Sequence, residues 1–152
     1  MNQPQTPEHT VRSTSTEPQG EAGSVILFNL RTLAHFQDEG PFVQIVSDLG
    51  AARLVLFAFK AGQQLKEHHT SSQILIQVLR GHVVVTTPGN STRLRSGMVL
   101  QIEANVPHSV TAPTEAVMLL TMTPSPTYHS LQKEVFEHLT PLVSRHQASN
   151  VQ

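Results

Sequence analysis

The sequence predicts an all-β domain, a sandwich or barrel of short strands, and two observations predict it. Apolar runs of five to seven residues, rich in Val, Ile, Leu and Thr, recur through the middle of the chain. Turn residues separate them at a spacing that suits antiparallel strands better than alternating βαβ units.

Taken in order, residues Met1 to Gly23 are rich in Gln, Thr, Ser, Pro and Glu, and only Val11 and Ala22 interrupt the polar run after Met1. Such a segment buries too little apolar surface to offset its ordering entropy, which predicts a disordered tail over 1–23. Order begins at Val25 to Phe28, and Leu30, Leu33 and Phe36 suit a short helix or a turn. Asp38-Glu39-Gly40-Pro41 is a breaker. The predicted strands are Phe42–Val46, Arg53–Phe59, Ile74–Leu79, Val83–Thr87, Met98–Ile102, Val106–Thr111 and Val117–Thr123. Between them stand Asp48-Leu49-Gly50, Ala61-Gly62, Arg80-Gly81, Pro88-Gly89-Asn90, Ser96-Gly97 and Ala112-Pro113. After Pro124 and Pro126, Leu131, Val135, Phe136, Leu139 and Leu142 fall at steps of three and four, which predicts an amphipathic helix. Thr127 or Ser130 can cap it, and Pro141 ends or kinks it near His138 to Leu139. The expected organisation is a tail at 1–23, a β domain at 24–124 and a helical segment at 125–152.

The chain has 152 residues and a net charge of −1 with histidines neutral. That balance lacks the electrostatic footprint of a nucleic-acid binder. No run of eighteen apolar residues suggests a membrane span, and the residues after Met1 lack the pattern of a secretory signal. Zero cysteines exclude disulfides, thiolate zinc sites and cysteine nucleophiles within this chain, and fit a cytoplasmic location. Nine histidines among few fixed charges make metal chemistry or pH response worth testing.

Two stretches of the β region carry a joint pattern: Gly62 to Gly81, GQQLKEHHTSSQILIQVLRG, and Gly97 to Val110, GMVLQIEANVPHSV. Together they resemble the two signature motifs of the cupin superfamily. The first family motif runs Gly, five residues, His-x-His, three or four residues, Glu, six residues, Gly. The second runs Gly, five residues, Pro-x-Gly, two residues, His, three residues, Asn. The resemblance covers roughly Arg53 to Met122. It implies a cupin-like double-sheet jelly-roll barrel and, as in many members, a homodimer.

In metal-binding cupins the two histidines and the glutamate of the first motif, with the histidine of the second, hold iron, manganese, nickel or zinc. Anchored on Gly62 and Gly81, the motif places His68 on the first histidine. The second histidine position falls on Thr70 and the glutamate position on Ile74. In the second motif His108 matches, while Glu103 replaces the proline, Asn105 the glycine and Ala112 the asparagine. The metal set is thereby reduced to His68 and His108. A second register, one residue on, offers Glu67, His69 and Gln73 beside His108. It turns every side chain to the other strand face unless a bulge absorbs the extra residue. Both registers stay open at this level.

A small molecule inside the barrel would meet His68, Thr70, Gln73, Gln77 and His108 among apolar strand residues. Gln77 stands in a Leu/Ile/Val run, where an unpaired buried amide is costly. By alternation His69 faces away from His68, and Glu103 reads as solvent-facing. His82 reads as a turn residue, and His129, His138 and His146 as members of the terminal helix without a ligand spacing. A Gly-x-Ser-x-Gly elbow, a phosphate-binding glycine loop and a close carboxylate pair in the strand region are absent. Three functions remain. One is a module binding a small molecule, with or without a weakly held divalent metal. Another is a metal-dependent dioxygenase, isomerase or decarboxylase. The third is a non-catalytic scaffold, since the barrel hosts many functions.

Overall fold

The computed structural model describes Thr10–Val11 and residues 23–144, so most of the expected disordered tail, and the end of the helical segment at 145–152, lie outside the described residues. The chain forms two compact units, residues 1–33 and 34–152. In the first, β1 (Thr10–Val11) pairs antiparallel with β2 (Val25–Ile26). A single helical turn, α1 (Leu30–Leu33), follows Asn29, whose side-chain oxygen accepts from the N–H groups of Arg31 and Thr32, an N-cap.

The second unit holds ten strands: β3 (Phe42–Asp48), β4 (Arg53–Phe59), β5 (Gln64–His68), β6 (Gln73–Arg80), β7 (His82–Thr87), β8 (Asn90–Arg95), β9 (Val99–Ile102), β10 (His108–Thr111), β11 (Ala116–Thr123) and β12 (Val143–Ser144). They make a four-stranded sheet in the order β5-β10-β7-β8 and a six-stranded sheet in the order β12-β3-β4-β11-β6-β9. Every pairing is antiparallel except β12 with β3. Val55, Phe57, Ile76 and Met118 of one sheet join Val83, Val85 and Val110 of the other in one buried core. This is the two-sheet jelly roll that the motifs imply.

The motif glycines mark the crossings between sheets. Gly62 joins β4 to β5, Gly81 joins β6 to β7 and Gly97 joins β8 to β9, each linking the six-stranded sheet with the four-stranded one. At Gly81 the crossing takes one residue. Three strands of the second unit escape the apolar-run reading: the two-residue β12, which lies in the expected helical segment, and β8 and β5. In β8 only Leu94 is buried, so NSTRLR reads as a loop. In β5 the pairing with β10 slips between His108–His68 and Val110–Leu65, a bulge that turns Leu65 and His68 inward with two exposed residues between them. Alternation is lost, and with it the sequence signal.

The terminal segment also departs from the periodicity. It forms one π-helical turn, Gln132–Phe136, closed by Glu137 N–H donating to Gln132 O at 2.7 Å. The helix is cut short because backbone hydrogen bonds tie both flanks to the sheets. Ser130 N–H donates to His69 O, Leu142 N–H to Ile45 O, and β12 then pairs beside β3. Pro141 leaves no N–H for a further turn. Leu131 and Phe136 still bury their side chains, as the pattern of steps requires. Phe136→Ala is therefore expected to cost about 3 kcal/mol in urea unfolding. A loss below about 1 kcal/mol would show that this segment is not part of the core.

Candidate functional site

His68 ends β5 and His108 opens β10, and the two are cross-strand partners. Both are buried, with ring centroids 4.2 Å apart at 65°. His68 Nδ1 lies 2.6 Å from Lys66 O, and His108 Nδ1 lies 2.9 Å from Val106 O. A carbonyl only accepts, so each Nδ1 carries the proton and each Nε2 keeps its lone pair.

A third imidazole completes the cluster. His129 is buried, pairs by an isolated antiparallel bridge with Thr70, and stacks on His68 at 5.4 Å and 22°. Phe136 packs edge-on against it at 4.6 Å. Its Nδ1 accepts from Leu131 N–H at 3.1 Å, so its proton sits on Nε2. The imidazole missing from position 70 thus returns from position 129, across the backbone of Thr70. Sequence spacing held no sign of this, because the partners lie far apart in the chain.

The other predicted residues have different placements. Thr70 is buried, but its hydroxyl donates to Tyr128 O at 3.0 Å and accepts from Ser72 N–H, so it is already spent. Ile74 is in the core. On β6, Ile74, Ile76 and Val78 face inward, while Gln73 is exposed and Gln77 is half-buried on the outer face. Those two amides do not join the histidines, because strand alternation turns them away. The second register also fails to assemble: Glu67 is exposed, and His69 lies against Tyr128 at 5.3 Å. The bulge that this register would need does exist, but it lies before His68 and brings that ring inward. Asn105, at the family's glycine position, holds φ 66° and donates its N–H to Thr70 O at 2.8 Å. Asparagine is the side chain that best tolerates this conformation after glycine. Ala112 is buried at the family's asparagine position.

Burial pushes His68 down to about 4, aided by the neighbouring His108. It pushes His129 down to about 3, with His68, His108 and Arg53 adding repulsion. His108 is lowered by burial as well, although its bond to Val106 O works the other way. All three rings are therefore neutral at pH 7. They present two nitrogen lone pairs and one N–H.

That donor set does not fit a resident metal. A catalytic site of this kind uses three or four protein ligands. Here two imidazoles offer lone pairs, the third turns an N–H where a lone pair would be needed, and no carboxylate joins them. Among the described residues no group of three or more His, Asp or Glu is arranged to hold a metal ion.

His129 also forms part of the wall of a cleft of about 530 Å³, with Arg53, Pro126, Tyr128, Ser130, Gln132 and Lys133 among its neighbours. Arg53 opens β4 and, by alternation, shares the face of Val55 and Phe57. A charged residue in phase with a core face is a signal that the sequence carried and the motif reading passed over. Its Nε donates to Asp48 Oδ2 at 2.9 Å. Burial raises the Asp48 carboxyl, but hydrogen bonds from Ser125, Arg53 and Gly50 outweigh it and hold the group below its ordinary value. No helix among the described residues is long and apolar enough to cross a membrane.

Residues 55–123 match the model of the cupin domain family. An uncharacterized conserved protein with a double-stranded β-helix domain from Klebsiella pneumoniae superposes with a TM-score of 0.63 at 16% identity, over 68% of this chain and 94% of its own. An RmlC-like cupin protein from Desulfovibrio desulfuricans gives 0.56 at 24%, over 74% and 96%. A salicylate 1,2-dioxygenase variant from Pseudoaminobacter salicylatoxidans gives 0.53 at 20%, over 56% of this chain and 26% of its own. At these identities the likeness is one of fold. No curated protein matches the sequence.

Proposed function

This chain belongs to the cupin superfamily through its domain at residues 55–123, and from that premise we propose that it is a small-molecule-binding protein that works without a resident metal. Its ligand sits in the cleft backed by His129, with His68 and His108 behind that ring. The observation that carries the reading is the set of backbone hydrogen bonds at the three Nδ1 atoms. They fix the three tautomers, so that His129, the ring on the cleft wall, offers its Nε2–H as a donor with His68 stacked against it. The volume of the cleft suits an organic molecule rather than a lone ion. A homodimer is part of the proposal. Half-exposed Met98 and Val99, at the β9 edge of the six-stranded sheet, support it. So is a cytoplasmic location, with which the cysteine-free composition agrees.

The test loads the protein with excess Zn²⁺, Ni²⁺, Mn²⁺ or Fe²⁺, removes free metal by dialysis, and reads both elemental content and the imidazole ¹⁵N shifts. The expected result is well under one metal per chain, with His68 and His108 as Nδ1–H tautomers and His129 as the Nε2–H tautomer. About one metal retained per chain in the wild type, and lost in the His68→Ala/His108→Ala double variant, would overturn the reading.

A further inference from the structure

We propose that the ligand of this cleft is an organic carboxylate, gripped at its charged end by the guanidinium of Arg53. The inference rests on the cleft being the binding site and adds the chemical class of the occupant.

The unpaired polar groups around the cleft are mainly donors. Arg53 is 14% exposed at its side chain and spends one N–H, at Nε, on Asp48. Its other side-chain N–H groups have no acceptor among the described residues, and Nη1 is fully buried. Asp48 does not take them: its oxygens accept from Arg53 Nε, from Ser125 Oγ at 3.0 Å and from Gly50 N–H at 3.3 Å, and from neither Nη. Ser130 Oγ accepts from His69 N–H at 2.9 Å, and its own proton has no acceptor among the described residues. Lys133 has no ion pair among them, whereas Glu134 is engaged by Lys66 at 3.1 Å. Nη2 is the idle nitrogen that is not sealed in, and an oxyanion in the cleft that Arg53 lines can take its N–H groups in a charge-assisted bond.

The charge balance selects the oxyanion. Asp48 already offsets part of the Arg53 charge, and Glu134 stands at the same cleft. Both carboxylates disfavour a dianion, Glu134 from the cleft wall and Asp48 through Arg53, while a carboxylate brings one negative charge to the guanidinium. The volume beyond the guanidinium, walled by Pro126 and the half-exposed Tyr128, takes an apolar body.

Benzoate is the probe, benzamide its neutral counterpart and inorganic phosphate the competing anion, each titrated calorimetrically into the full chain. The expected result is that benzoate binds, and that benzamide and phosphate bind at least tenfold more weakly. Arg53→Lys, which keeps the charge and loses the guanidinium, should weaken benzoate about tenfold, and Lys133→Ala a few-fold. Lys133 is exposed, so that variant keeps the test open if an Arg53 variant folds poorly. No benzoate binding, equal binding of benzamide, tighter binding of phosphate, or unchanged affinity in both variants would each overturn the proposal. These failures leave metal content and imidazole tautomers untouched, so they are separable from failure of the metal-free reading.

Discussion

Acidifying the protein from pH 6.5 towards pH 4 lowers its unfolding free energy continuously, by up to about 1.4 kcal/mol per pH unit for each imidazole that stays neutral in the fold. The rings responsible are His68, His108 and His129. Their folded values lie below the ordinary 6.5, with His68 at about 4 and His129 at about 3. Above pH 6.5 the rings are neutral in both states, and the full stability is present. Below it the unfolded chain takes up protons that the fold refuses, so stability is lost as pH falls towards the folded values. Burial is the main cause, and each ring also opposes charge on the next. Asp48, held low by its hydrogen bonds, adds its own loss from about pH 5 downward, and that loss is common to the wild type and His129→Gln. Urea midpoints measured across pH 4–7 check the slope. His129→Gln removes one ring and should flatten it by roughly one proton's worth, up to about 1.4 kcal/mol per unit. An unchanged slope in that variant would mean that the ring is charged in the fold and that the assigned tautomers are wrong.

Gly81→Ala is expected to destabilise the domain by roughly 3 kcal/mol or more, against about 1 kcal/mol for Gly62→Ala. Both glycines hold positive φ, +70° and +90° respectively, so both substitutions incur the cost of a left-handed alanine. Only at Gly81 is the space also taken. A Cβ there would stand 2.0 Å from Glu115 O, with Glu115 C and Ala116 Cα close behind. That backbone belongs to the entry of β11, which pairs with both β4 and β6 and carries core residues. It cannot move without disturbing the main sheet. Equal losses for the two variants would show that conformation rather than close approach accounts for Gly81.

Most of the barrel was legible because its strands obey simple alternation. Arg53–Phe59 keeps its predicted bounds, and the predicted runs at Ile74, Val83 and Val117 each fall within an observed strand. Strands that bury a single side chain, or whose alternation a bulge breaks, were not legible: β8 and β5 read as polar connections. The terminal periodicity identified the right buried side chains in Leu131 and Phe136 but the wrong length of helix. Steps of three and four record which residues face a core, and one turn satisfies them as well as three.

The candidate site divides along the same physical line. His68, His108 and the sheet-crossing glycines follow from local spacing, because each lies in a motif whose backbone course is set by its neighbours. Thr70 and Ile74 at ligand positions already indicated that the usual metal set was incomplete. The tertiary contacts supplied what stands in its place. His129 enters across Thr70 from a segment tied down by Ser71, Ser130 and Leu142, and Leu131 N–H then directs its proton to Nε2. Arg53 acquires its idle guanidinium only when Asp48 and the 126–134 segment close around it. A sequence motif records neighbours along one strand. The protonated nitrogen of a buried imidazole and the unpaired N–H groups of a buried arginine depend on partners brought together by folding.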